Sequence, residues 1–128
     1  MKKITLLLVI IFTFLFSTTS WGEWSLVTEN VGGNSYYDKD RVRKSGKYIY
    51  FWELFDYLKP SYGYLSDTTY VQLDCSIFRF KTLKIQFYKN SMGEGEMTGD
   101  FTPLDEWKYP QLDSVIEVMY NKICEEHQ

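Results

Sequence analysis

Histidine is almost missing from this chain: there is one in 128 residues, His127, next to the C-terminus. A serine or cysteine nucleophile needs a positioned base, and a residue at a fraying chain end is a poor one, so nucleophilic hydrolysis of the Ser-His or Cys-His kind is not expected. Cysteine is equally sparse, with only Cys75 and Cys124. They lie too far apart for a metal-site pattern, and neither sits in a CxxC redox motif. Met92-Gly93-Glu94-Gly95 is not GxGxxG, and two acidic residues there, Glu94 and the adjoining Glu96, would repel phosphate, so it reads as a turn. Positive charge is not in excess: 14 basic residues face 17 acidic ones, which makes nucleic acid a poor first partner. Repeats, low-complexity blocks and linker-like stretches are lacking too. No cofactor or metal site is expected.

Long apolar runs are confined to the N-terminus. Lys2 and Lys3 precede an uncharged run from Ile4 to Phe16, and Ser17 to Gly22 is small and polar apart from Trp21. This is the pattern of a secretory signal, too short for the roughly 20 apolar residues of a spanning helix. Residues 1–22 are expected to be removed, with Glu23 as the first mature residue or Trp21 as the alternative. No cysteine adjoins either cut, so the mature chain is expected to be exported, unlipidated and soluble, in the periplasm or at the cell surface. Without Lys2 and Lys3, 12 basic residues face the 17 acidic ones, a formal charge of −5. Export takes both cysteines to an oxidising compartment, where an even count implies a bridge, Cys75 to Cys124.

What remains, residues 23–128, has the aromatic and apolar content of one ordered domain; over the whole chain these fractions are 19% and 45%. Strand signals dominate. Trp24 to Thr28 and Ser35-Tyr36-Tyr37 flank Val31-Gly32-Gly33-Asn34, a hairpin turn. Arg41 to Lys44 and a strand from Lys47 to Tyr57 flank Ser45-Gly46. Pro60 and Gly63 break that strand, and strand character resumes from Thr69 to Phe80, with Val71, Leu73, Cys75 and Ile77 on one side. A turn near Lys81-Thr82 leads into the alternating run Leu83 to Tyr88, and Glu96 to Gly99 reads as a last short strand. After irregular sequence containing Pro103 and Pro110, Ser114 and Glu117 fit a capping box. Leu112, Ile116, Met119, Tyr120 and Ile123 then recur at helical spacing, with Cys124 at the edge of the stripe. Strands followed by one terminal helix make an α+β fold.

Glu53, Asp56 and Asp74 lie in strands and could form an acid–base pair of glycosidase type. A solvated face, or pairing with Arg79 and Lys84, explains them more simply. Asp38 and Asp40 lack the further oxygen ligands of a calcium loop and read as turn residues. Arg41, Arg43, Lys44 and Lys47 concentrate positive charge beside Tyr48 and Tyr50. This is a solvated hairpin or a site for a polyanion such as lipopolysaccharide, a sulfated glycan or an acidic protein. The strand from Tyr48 to Tyr57 is bulky on both faces, whereas one helix covers only one. The other face requires a sheet that curls over itself, a docked ligand or a second chain, so a homodimer through the sheet is one reading.

In order and spacing, Trp24, Tyr37-Asp38, Arg41, Trp52-Glu53-Leu54, Asp56-Tyr57, Leu65-Ser66, Asp74-Cys75, Phe78-Arg79, Met92-Gly93, Gly95, Trp107 and Cys124 resemble the surface-adhesin E family of bacterial envelope proteins. The resemblance spans nearly all of the mature chain. It implies an antiparallel sheet of about six strands with a C-terminal helix packed on one face and disulfide-bonded to it. It also implies a non-enzymatic role in binding host matrix proteins. Namesake-type members are lipid-anchored, which the absence of a cysteine at the cleavage site does not match. The expected function is an exported, non-enzymatic adhesion-like module with Arg41, Arg43, Lys44, Lys47, Tyr48 and Tyr50 as its partner-binding residues. The alternative is a periplasmic protein that binds a small hydrophobic or anionic ligand.

Overall fold

Alternation of apolar and polar residues organises most of the chain into one antiparallel sheet, described over residues 24–127 by a computed structural model. The expected signal segment and its cleavage site lie outside the described residues. The strands are β1 (Trp24–Asn30), β2 (Gly33–Asp38), β3 (Arg43–Ser45), β4 (Tyr48–Ser61), β5 (Tyr64–Asp74), β6 (Arg79–Tyr88) and β7 (Met97–Phe101), followed by one helix, α1 (Val115–His127). Their order is β1-β2-β4-β5-β6-β7, and β3 also pairs with β4. β2 runs beside residues 53–57 of β4 and β3 beside residues 48–50, so the two short strands share one edge and the sheet is six strands wide. Between them the buried Asp38 turns the chain, accepting a hydrogen bond from the Asp40 amide at 3.1 Å and pairing with Arg41 Nε. No helix among the described residues is long and apolar enough to cross a membrane.

The pleat of β4 sends Ile49, Phe51, Glu53 and Phe55 to one face and Tyr48, Tyr50, Trp52 and Leu54 to the other. α1 lies on the first face. Met119, Tyr120 and Ile123 close there over Tyr37, Ile49, Phe51, Val71, Leu73 and Phe80 to form the core. The Tyr120 ring meets Phe51 and Phe80 edge-on, with centroids 5.4 and 5.1 Å apart, and pairs of this kind each add about 0.5–1.5 kcal/mol beyond the area they bury. Ser114 caps the helix: its Oγ accepts from the Glu117 amide at 3.1 Å, while Glu117 Oε1 reaches back to the Asp113 amide at 3.2 Å. The helix therefore starts too late to include Leu112, which is 85% exposed instead of joining the apolar stripe.

A disulfide joins Cys75 to Cys124 with their Cα atoms 5.9 Å apart. Reaching the helix takes Cys75 out of the sheet, and this breaks the single strand expected from Thr69 to Phe80. The buried Asp74 carboxylate gathers the turn, accepting from the Ser76 amide at 3.1 Å, from Ser76 Oγ at 2.7 Å and from Arg79 Nε at 3.1 Å. Ile77, expected on the inner face, sits exposed in that turn. Lys81 and Thr82, expected in a turn, lie within β6, where a shift in register next to Thr82 absorbs the irregularity. Pro60 falls in the irregular end of β4, where pairing with β5 lapses between Asp56 and Ser61.

The described strands form one sheet, and loops lie over the two ends of its second face. At one end the turn Ser91–Gly93 sits on Leu54, held by the Met92 amide donating to Asp56 Oδ1 and the Gly93 amide donating to Ser66 Oγ, both at 2.9 Å. Gly93 is required there: its φ is +69°, and a Cβ would stand 3.2 Å from the Leu54 side chain. At the other end lies Trp107, 5.6 Å from the Tyr48 ring.

Candidate functional site: a cation and aromatic surface

Between those two covers the sheet presents half-buried rings. Tyr50 and Tyr70 stack across β4 and β5 with centroids 6.2 Å apart, and Trp52 lies 4.9 Å from Tyr70. The row runs from Trp107 through Tyr48, Tyr50 and Tyr70 to Trp52. Cations from three segments lie over it. Arg43 is 5.0 Å from the Tyr50 ring and Lys47 is 5.4 Å from Tyr48, while Arg79 and Lys81 are 4.1 and 4.7 Å from Trp107. Each such contact contributes about 0.5–1 kcal/mol where water is near. Their greater effect is to hold long, charged side chains flat against large apolar area.

The six residues expected at the partner site are only partly brought together. Arg43, Lys47, Tyr48 and Tyr50 share the surface. Arg41 is drawn away to Asp38, though it remains 58% exposed. Lys44 pairs in register with Ile49, a core residue, so the pleat directs it to the helix side of the sheet. The residues that complete the surface, Trp52, Tyr70, Arg79, Lys81 and Trp107, come from β4, β5, β6 and the segment before α1. Alternation in Arg79-Phe80-Lys81 carries the signal, placing both cations opposite the buried Phe80.

The carboxylates divide by face. Asp74 stands opposite Tyr48 in register and Glu53 opposite Thr69, so Glu53 and Asp74 point to opposite sides and cannot act on one substrate. Burial alone would raise Asp74, but hydrogen bonds from Ser76, Arg79 and the Ile77 amide hold it below the usual carboxylate range. Glu53 is not on a solvated face. It lies half-buried under α1, and burial pushes its carboxyl up to about 8. Asp56 accepts a hydrogen bond from the Met92 turn, and Lys84 pairs with Asp100 at 3.3 Å. Among the described residues no three His, Cys, Asp or Glu side chains converge on a point that could hold a metal ion.

The fold and sequence can be placed among known proteins. The family model described as surface-adhesin protein E matches residues 24–125. Haemophilus influenzae protein E has a similar structure, with a TM-score of 0.65 at 16% identity over 87% of this chain and 89% of that one. Its crystal form II gives 0.63 at 16% identity over 87% and 93%. Protein E from non-typeable Haemophilus influenzae gives 0.56 at 16% identity over 85% and 79%. At that identity the structural likeness establishes the fold alone. No curated protein sequence matches the chain. The family match covers every described strand and nearly all of the helix, and the chain belongs to the surface-adhesin protein E family.

Proposed function

We propose that this chain is an exported, non-enzymatic adhesion module that holds an acidic protein surface, of the kind found on host matrix proteins, against the face of the sheet opposite α1. The observation that supports this reading is the interleaving of Arg43, Lys47, Arg79 and Lys81 with Tyr48, Tyr50, Trp52, Tyr70 and Trp107. Aromatic and arginine side chains are the usual anchors of protein interfaces, since they bury large area at modest entropic cost. The chain as a whole is acidic, and on this face Arg79 pairs with Asp74 and Lys81 with Asp105 at 2.8 Å, while Arg43 and Lys47 have no carboxylate partner among the described residues and supply the local positive charge that steers acidic partners to this side. Arg41, drawn to Asp38, and Lys44, on the helix side of β3, stand off this surface and contribute only to its long-range attraction. Export after removal of residues 1–22 brings the surface to its partner, and mass spectrometry of the exported protein would show Glu23 or Trp21 at its start without acyl groups.

The test is a double variant, Arg43→Ser with Lys47→Ser, which leaves the buried Asp74–Arg79 pair intact. Binding to a panel of purified extracellular-matrix proteins is measured across a salt series. The parent should bind at least one acidic member, and the variant should bind it tenfold or more weakly at low salt, the difference closing as salt rises. Equal binding by parent and variant, or no binding by the parent, would overturn the reading.

A further inference from the structure

On the opposite side of the sheet, the first turns of α1 stand away from the strands and leave a partly open cavity of about 280 Å³. Its walls are mostly apolar, formed by Phe55, Val115, Ile116 and Met119, and two carboxyl side chains, Glu53 and Asp67, also line it. Neither carboxyl takes part in an ion pair among the described residues. Their polar partners are phenols. Tyr120 lies 3.3 and 3.2 Å from the two oxygens of Glu53, and Tyr57 donates to Asp67 Oδ2 at 2.6 Å. Further titratable groups nearby are two tyrosines and one acid: Tyr37 stands opposite Glu53 in register and donates to Glu126, and Tyr64 packs against Tyr57. A carboxylate offers about four acceptor sites, so one phenol leaves most of that capacity unused.

A concave apolar pocket with a few converging polar groups is the usual form of a small-molecule site. Here the polar side chains that line the cavity are Glu53, Asp67 and the hydroxyl of Ser35, with no cation among them, which selects against an anion and leaves a positive charge as the missing complement. We propose that the cavity binds a small apolar amine whose hydrocarbon body packs among Phe55, Val115, Ile116 and Met119 and whose ammonium is held between Glu53 and Asp67. Since a cavity of about 150 Å³ accepts benzene, this one has room for roughly ten non-hydrogen atoms.

Two negative charges without a cation are costly in such a place, and a proton kept on Glu53 lowers that cost. Burial raises Glu53 to about 8, with Asp67 adding to the effect, and burial raises Asp67 above its ordinary value. An arriving ammonium displaces the proton of Glu53. Affinity for the amine should therefore rise with pH from 6 to 8, by up to about tenfold per unit. A neutral alcohol of the same shape has no such dependence. The cavity and the cation and aromatic surface lie on opposite faces of the sheet, so either can fail alone.

The experiment titrates the oxidised protein with 2-phenylethylamine, and in parallel with 2-phenylethanol and phenylacetate, following amide and methyl NMR shifts at pH 6, 7 and 8. The amine should bind saturably, at least tenfold tighter than the alcohol at pH 8, with shifts centred on Val115, Ile116 and Met119. Its affinity should fall severalfold or more by pH 6. Glu53→Gln with Asp67→Asn should reduce the amine to the affinity of the alcohol. Ile116→Phe, which fills the cavity and keeps both acids, should abolish binding of both. If the first variant fails to fold, the comparison of amine with alcohol on the parent still decides. An amine that binds no better than the alcohol at pH 8, that binds Ile116→Phe as it binds the parent, or that shifts signals only away from the cavity would overturn the proposal.

Discussion

Tyr120 and Glu53 meet across the boundary between helix and sheet, the phenol oxygen 3.2 and 3.3 Å from the two carboxyl oxygens. The tyrosine is fully buried in the core, so the pair couples the protonation of Glu53 to the seating of α1. Burial raises the folded-state pKa of Glu53 from 4.5 to about 8. The stability gained from holding that proton is complete below the unfolded value and is lost as pH climbs through the folded one, with a slope of at most about 1.4 kcal/mol per pH unit. Glu53→Gln removes this loss. The variant should gain on the parent between pH 5 and pH 8 in urea unfolding midpoints, and parallel midpoint curves would show that Glu53 titrates normally.

The disulfide should matter more than any single packed side chain. Its cysteines are 49 residues apart, and in the chain-entropy model closing such a loop stabilises by about 4 kcal/mol. Cys75→Ala with Cys124→Ala should lose stability of that order in denaturant unfolding. The oxidised parent should react with no thiol reagent, since the described residues contain no free cysteine.

Asp74→Ala should cost about 3 kcal/mol, because it strands the Ser76 and Arg79 donors that gather on one buried carboxylate. Acid should reveal the same group. The folded carboxylate is held below its ordinary 3.8, so its contribution is present above that value and fades as pH falls through the folded pKa. Asp74→Asn should accordingly be less damaging at pH 3 than at pH 7 when unfolding is followed at both.

Trp107→Ala should separate binding from folding. The ring covers Tyr48 and carries Arg79 and Lys81 on its face, yet it is only half-buried. A stability loss of about 1–2 kcal/mol is expected from a partly covered aromatic, together with a larger fractional loss of matrix-protein binding than Arg43→Ser produces. Thermal unfolding and the binding panel measure the two effects.

Local pattern made much of this molecule legible. The alternation of Tyr48 to Tyr57, the cap at Ser114 and the pairing of the cysteines each depend on short-range chemistry or on there being one possible partner. The alternation of Val71, Leu73, Cys75 and Ile77 misled because period two continues past the point where the backbone leaves the sheet. Where the strand stops, the Asp74 side chain folds back on Ser76, and the adjacent Cys75 is bridged to Cys124 from far along the chain. The surface was half legible for the same reason. Arg43, Lys47, Tyr48 and Tyr50 are neighbours in sequence, whereas Arg79, Lys81 and Trp107 join them only through the register of β4, β5 and β6. Glu53 gave no local sign that it faces a helix instead of water.

The placement of the disulfide makes α1 a lever with one fixed end. Cys124 anchors the helix near its C-terminus, while Val115 and Ile116, about 13 Å away along the axis, roof the cavity and are fastened by packing alone. The next tie upstream is the backbone pair between Phe80 and Lys108, across an irregular segment. Any tilt of the helix is therefore small at the bridge and greatest over Glu53 and Asp67. Amide hydrogens near Ile123 should exchange more slowly than those near Val118, and reduction of the bridge should erase that gradient before the sheet itself comes apart.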